Sequence, residues 1–311
     1  MQESRERILS ALSEGPVTGP ELADDLEISR AAVWKHIEEL RDAGFEITSI
    51  GSGYEIESVP EFGGIAVEFG LDAPFEIEYH DSIGSTNARA RGLATEGREN
   101  VVVLADEQTG GRGRLDREWS SPSGGLWLSL LLRPTRPATH APVYTLAAAV
   151  ATARAVRETG VDARIKWPND VLVEGRKLSG ILTEMEGEAD RISWLVVGIG
   201  INANVGTDHL PDREDVTSLQ AEVGEVDRRS LTQTLITEFH ELVHDEGEIV
   251  PAWRDLSATL DRRVRVETAD GTVEGRAIDV EFPGSLVIET DGEETVVTVG
   301  DCTHLRASEG A

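Results

Sequence analysis

The 311-residue sequence is poor in three things: it has one cysteine, Cys302, three lysines, and only 5% aromatic residues. A single thiol excludes an internal disulfide and a cysteine-rich metal site, and it suits a reducing compartment. No apolar run reaches the roughly 18 residues that a membrane-spanning helix needs, and Met1-Gln2-Glu3 opens no signal peptide, so a cytoplasmic protein with no membrane partner is expected. With so few aromatics, aliphatic side chains must fill the core, for which 39% hydrophobic content is enough.

Positive charge is scarce as well. There are 29 Lys+Arg against 58 Asp+Glu, a formal net charge of 29 − 58 = −29. On average such a chain repels polyanions and acidic membranes. An acid-rich, lysine-poor balance is what a cytoplasm at molar salt favours, where the Debye length shrinks to about 3 Å, so the sequence reads as halophilic. Two of the three lysines, Lys166 and Lys177, lie within twelve residues of each other. They are either site residues needing a compact ammonium or two surface lysines on a hairpin.

At this length two or three domains are expected. Residues 1–60 read as three short helices and a two-stranded wing. Ile8, Leu9 and Leu12 mark an apolar stripe before Gly15-Pro16, Thr18 and Glu21 form a capping box, and Ser29 caps a third helix with Val33, Ile37 and Leu40 buried. Phe45-Glu46-Ile47 and Gly53-Tyr54-Glu55-Ile56 then alternate around a glycine turn. This is the winged helix-turn-helix arrangement, and it exposes Ser29, Arg30, Trp34, Lys35 and His36 for the phosphates and base edges of DNA. The module is nonetheless acidic, with Arg5, Arg7, Arg30, Lys35 and Arg41 against thirteen carboxylates between Glu3 and Glu57. A helical interaction domain without DNA is the competing reading.

Residues 60–74, rich in glycine and acid, read as a linker. The central region, 61–262, alternates strands and helices: strands at 75–79, 101–107, 126–132, 164–166, 170–173, 177–186 and 194–201, an alanine-rich helix ending before Gly160, and a long helix opened by a capping box at Ser230. From 263 to 311, four short strands split by Asp270-Gly271, Pro283-Gly284 and Asp291-Gly292 imply a small antiparallel barrel. The fold class is thus α+β and multidomain.

The chemistry concentrates in Gln108–Trp119, where Arg112, Arg114 and Arg117 stand among Gly110, Gly111 and Gly113. Such a loop can close planar guanidiniums over an anion, and no Gly-Lys-Ser/Thr follows to make it a Walker loop. Lys177 can neutralise a carboxylate or phosphate opposite, and Lys166 can hold outer phosphates. Ser85-Thr86-Asn87 serves either as ligand-binding hydroxyls and amide or as a plain helix cap. Gly198-Ile199-Gly200-Ile201-Asn202 allows either close ligand approach or tight strand packing.

Taken together, the winged module, Ser85-Thr86-Asn87, Gly111-Arg112-Gly113-Arg114, Trp119, Lys166-Trp167-Pro168-Asn169-Asp170, Arg176-Lys177-Leu178-Ser179-Gly180, Gly198–Asn202 and the terminal barrel resemble the bifunctional biotin protein ligase and biotin operon repressor family. One departure is Asp116, where members often carry glycine.

The resemblance implies a central domain of class II synthetase-like type and an SH3-like terminal barrel. It also implies a two-step reaction. Biotin and ATP give biotinyl-5′-adenylate and pyrophosphate, and a lysine of a biotin carboxyl carrier protein then takes the biotin. By position, Ser85, Thr86, Asn87, Gln108, Arg112, Gly113, Arg114, Lys177 and Gly180 are expected around biotin, with Trp119, Lys166, Asn169, Asn202 and Arg117 around the nucleotide. Lys177, Arg112, Arg114 and Asp170 are the expected catalytic groups, with Asp170 orienting Lys177 or taking the amine proton. Mg²⁺ is expected beside the phosphates without a dedicated metal site, and a homodimer joined through the central sheet is implied. Lipoate ligases share the central fold, and a biotin-sensing repressor without catalysis is the second rival.

Overall fold

The computed structural model describes residues 2–211 and 215–305, in two compact units, 1–71 and 72–311. The first holds α1 (Gln2–Ser13), α2 (Gly19–Asp25), α3 (Arg30–Asp42), β1 (Glu46–Ile50) and β2 (Gly53–Ser58). Thr18 and Glu21 cap α2 reciprocally, and the Ala32 amide donates to the Ser29 hydroxyl at 3.1 Å. These bonds satisfy amides that a helix start leaves without partners. Ile8, Leu9, Leu22, Val33, Ile37 and Leu40 are buried together, and Phe45 and Ile47 of the wing close over them.

Two expectations change here. His36 does not face outward: it is 8% exposed, and its Nδ1 lies 3.2 Å from Glu39. Spacings of three and four from Val33 and Leu40 place it on the buried stripe of α3, whereas Ser29, Arg30, Trp34 and Lys35 are exposed. The stretch read as a linker contains α4 (Gly64–Glu68), whose Ala66 and Val67 are buried, while Ile65 and Phe69 pack on the same core. Burying those apolar groups outweighs the glycines around them.

The second unit begins with β3 (Glu76–Ile83), α5 (Thr86–Thr95), β4 (Val101–Gln108), β5 (Leu126–Leu132) and α6 (Ala141–Arg157), then β6 (Ala163–Lys166), β7 (Asp170–Val173), β8 (Arg176–Glu188) and β9 (Arg191–Ile201). The strands form one sheet in the order β3-β4-β5-β9-β8-β7-β6, with only the β3–β4 pair parallel. Every residue of β5 is buried, so both faces of the sheet are covered. On one face Ala90 and Leu93 of α5 pack on Val103, Leu131 and Val196. On the other, Thr145 of α6 meets Thr183, which pairs with Val197, the neighbour of Val196.

Helices α7 (Leu219–Val223), α8 (Arg228–His244) and α9 (Glu246–Asp255) follow, with α8 and α9 against α6. The cap of α8 is Asp227 rather than Ser230: its carboxylate accepts from the Ser230 amide at 3.1 Å and from the Ser230 hydroxyl at 2.7 Å. Two earlier residues thereby join the helix.

The terminal domain has five antiparallel strands rather than four: β10 (Arg263–Thr268), β11 (Gly271–Glu281), β12 (Ser285–Thr290), β13 (Glu293–Val297) and β14 (Asp301–His304), ordered β13-β12-β11-β10-β14. The fifth strand is four residues long, too short to carry a readable alternation. Residues 306–311 of the expected barrel domain lie outside the described residues. Trp167 ties this domain to the sheet: its indole donates to the Gly284 carbonyl at 2.9 Å, and its amide donates to the Thr259 hydroxyl at 2.9 Å.

His304 lies against Thr259 at 3.0 Å, and burial together with the charges of Lys166 and Arg262 pushes its pKa down to about 4. The unfolded chain therefore binds a proton that the folded chain refuses between pH 6.5 and about 4, and stability present above this window is lost as pH falls through it. The melting temperature should fall more steeply from pH 7 to 4.5 in the native protein than in His304→Gln; parallel slopes would contradict this.

Candidate functional site

A cavity of about 1130 Å³ opens on the α5 face of the sheet. Its floor is flat because the strands carry glycine there: Gly200 pairs with Gly180 on one side, and Gly198 lies two residues along the same face. A Cβ at Gly198 would collide with the Asn87 amide, and one at Gly200 would press on the Trp119 indole. Glycine clears the floor while Ile199 and Ile201 point into the core on the other face. The Gly-Ile-Gly-Ile pattern therefore serves close packing of residues that themselves line the cavity.

The arginine loop is an ordered flap. Gln108 pairs with Ser121 and Arg112 with Glu118, and the Gly113 amide donates to the Arg117 carbonyl at 2.8 Å. The hairpin turns through Leu115 at φ +55° and Asp116 at φ +54°. That left-handed geometry favours glycine, and aspartate is among the few other residues that adopt it readily. Asp116 in turn pairs with Arg112 at 3.2 Å.

The flap tip is fastened to its surroundings. Arg114 donates to Asn169 Oδ1 at 3.0 Å and to the Gly300 carbonyl at 2.8 Å, and Arg117 pairs with Asp301 at 2.7 Å. Burial raises the Asp301 pKa, but the Arg117 hydrogen bond and the positive charges of Arg117, Arg114 and Lys166 outweigh it, so the carboxyl lies below its ordinary value.

Beneath the flap, the Lys177 ammonium lies 2.7 Å from Asp170 Oδ1 and 5.0 Å above the Trp119 ring. Gly180 sits directly under this pair, where a Cβ would crowd both side chains. Lys177 is therefore held by a carboxylate on one side and a π face on the other, 30% exposed toward the cavity. The Trp119 Nε1 is buried and has no hydrogen-bond partner among the described residues. Lys166 also lines the cavity and makes no ion pair among the described residues.

At the far end, Thr86 and Gln108 are joined: the Thr86 amide and hydroxyl reach Gln108 Oε1 at 2.8 and 3.1 Å, and Gln108 Nε2 donates to Ser121 at 3.1 Å. Ser85 caps α5, and all three residues of the triplet line the cavity. All the residues expected around biotin and nucleotide line this one cavity. Like Gln108, the three asparagines among them have their amides engaged by the protein. Asn87 donates to Leu182 and Glu184, Asn169 donates to the Ile181 carbonyl and accepts from Arg114, and Asn202 donates to the Thr217 carbonyl at 2.9 Å. These amides act as walls and braces. Sequence reasoning missed Glu184, Ser129 and Asp301, since none lies in a recognisable motif.

Residues 80–202 match the biotin/lipoate A/B protein ligase family, residues 4–60 an HTH domain, and residues 259–305 the biotin protein ligase C-terminal domain. The chain is 38% identical to the bifunctional ligase/repressor BirA of Bacillus subtilis (strain 168) over 291 residues, covering 88% of this chain and 90% of that one. It is 31% identical to the protein of the same name from Escherichia coli (strain K12), covering 92% of each. Among solved structures, the biotin protein ligase from Aquifex aeolicus in complex with biotin and ATP superposes with a TM-score of 0.65 at 26% identity, covering 74% of this chain and 99% of that one. The flap, the glycine floor and the facing lysine enclose this one cavity. The chain belongs to the biotin protein ligase family.

Proposed function

We propose that this protein activates biotin with ATP to biotinyl-5′-adenylate and then transfers biotin to a lysine of a biotin carboxyl carrier protein. The observation that carries this reading is the meeting of Arg112, Arg114, Lys166 and Lys177 in one cavity of a chain with net charge −29. In the first step a biotin carboxylate oxygen attacks the α-phosphorus and pyrophosphate leaves. In the second the carrier amine attacks the acyl carbon, AMP leaves and the amine loses a proton. Two anions must approach for the first bond to form, and cations fixed in place offset their repulsion without reorganising.

Lys177 takes the carboxylate and the reacting phosphate, Asp170 orients Lys177, and Trp119 packs beside the adenine. Among the described residues no group of three or more His, Cys, Asp or Glu side chains could hold a metal ion. Mg²⁺ is proposed as an ion carried by the nucleotide phosphates and completed by water. The rival lipoate reading is disfavoured by the polar corner of Thr86 and Gln108, which suits a ureido ring better than a dithiolane. The test is incubation with labelled biotin, ATP and a carrier domain. Label on the carrier lysine is expected; its absence, or equal labelling by lipoate, would contradict the assignment.

The winged unit suits a biotin-responsive repressor acting as a homodimer joined through the central sheet, with the adenylate as corepressor. Arg30 and Lys35 present the exposed cations of α3, and the acidic balance suits a cytoplasm of high salt. Replacing both with alanine should weaken operator binding by about tenfold or more and flatten its salt dependence while leaving adenylate formation intact. Unchanged binding would rule this helix out as the reader.

A further inference from the structure

We infer that Ser129 is a positioning residue that fixes the direction of the hydrogen bonds in the biotin corner and so selects a ligand presenting an N–H beside a carbonyl. The inference rests on the ligase reading above and deepens it. Ser129 is the one polar residue in β5, a strand otherwise of Leu and Trp, and it is fully buried. A hydroxyl there costs free energy unless it is bonded. Its Oγ lies 2.6 Å from Asn87 Oδ1 and 2.7 Å from Thr86 Oγ1.

One hydroxyl has one proton, so the two contacts cannot both be donations by Ser129. The Asn87 nitrogen donates to the Leu182 carbonyl at 3.3 Å and to Glu184 at 2.7 Å, which turns its oxygen toward Ser129. No other donor among the described residues reaches that oxygen, so the Ser129 proton goes to Asn87. The Thr86 hydroxyl must then point its own proton inward, to Ser129 Oγ or to Gln108 Oε1 at 3.1 Å. Either way, Thr86 offers the cavity only lone pairs.

Gln108 completes the pattern. Its oxygen accepts from the Thr86 amide at 2.8 Å and its nitrogen gives one proton to Ser121, leaving one N–H. An acceptor and a donor thus stand side by side, complementary to a cyclic urea or amide. A ring of sulfur and carbon supplies neither partner and would leave both groups unsatisfied. An independent feature fits the same arrangement: Gly198 pairs directly with Ser129, and a Cβ there would collide with Asn87 Oδ1. The sheet is hollowed at the point where the amide meets the hydroxyl.

The test is steady-state adenylate formation by the full-length protein, with biotin and ATP varied separately. Ser129→Ala strands the Asn87 oxygen and frees the Thr86 hydroxyl to rotate, a loss on the scale of one buried hydrogen bond. The biotin KM should rise about tenfold or more, with the ATP KM and kcat within about threefold. Ser129→Cys, nearly isosteric and a weak donor, should give an intermediate biotin KM. A biotin KM within twofold of the native value in both variants would overturn the inference. So would biotin and ATP KM values rising together, the mark of a merely structural role. A native protein that makes no adenylate would instead remove the ligase reading, and this inference with it.

Discussion

Replacing Lys177 with methionine is expected to slow adenylate formation by ~10²–10³-fold, the usual cost of losing one preorganised charge at a developing anion. Methionine keeps most of the stem that packs over Trp119 and beside Gly180, so the fold should survive and the loss should appear in kcat as much as in KM. Arginine should not rescue it. The ammonium fits between Asp170 and the Trp119 ring as a compact point charge, and a planar fork on a longer stem does not put its charge at the same point. Because Lys166 and Lys177 are two of only three lysines in the chain and both line the cavity, selective labelling should also show two amines protected by biotin and ATP. A methionine variant within fivefold of native activity would remove Lys177 from the reaction.

The second large effect concerns retention of the intermediate. Arg114 donates to Asn169 on the sheet and to Gly300 beside the barrel, so it ties the flap tip to two different parts of the unit. Each charge-assisted bond contributes on the order of 1.5–3 kcal/mol. Losing both in Arg114→Ala should release bound adenylate ~10²–10⁴-fold faster, and water would then consume it before the carrier arrives. The measurement is the lifetime of preloaded enzyme with and without carrier. Arg117→Ala should cost less, because its partner Asp301 and Arg117 itself are both substantially exposed and such pairs contribute little. Equal lifetimes for Arg114→Ala and native protein would show that the flap is not fastened in this way in solution.

The cavity was legible where residue type and order carry the chemistry. Lys166, Lys177 and the arginines of the flap announce themselves because cations are rare in this chain, and Asp170 because it stands between the two lysines in sequence. Ser129 left no trace, being one hydroxyl in an apolar strand whose meaning depends on Asn87, 42 residues earlier. Asp301 is 184 residues from Arg117, and only the docking of the barrel brings them together.

The fold was legible by the same logic. Strands with strong periodicity were placed to within a residue or two, as at 126–132 and 170–173. Three elements defied local reading. The α9 helix carries an internal proline, Pro251, α4 is hidden among glycines, and β14 is only four residues long. His36 shows the opposite error: its chemistry suggested an exposed contact, while its phase on α3 dictated burial.

The most direct measurement of the central claim is exchange of labelled pyrophosphate into ATP, which reports reversible adenylate formation without any acceptor protein. The account predicts exchange that requires biotin, is not supported by lipoate, and collapses in Lys177→Met. Exchange without biotin, equal exchange with lipoate, or full exchange in the methionine variant would contradict it.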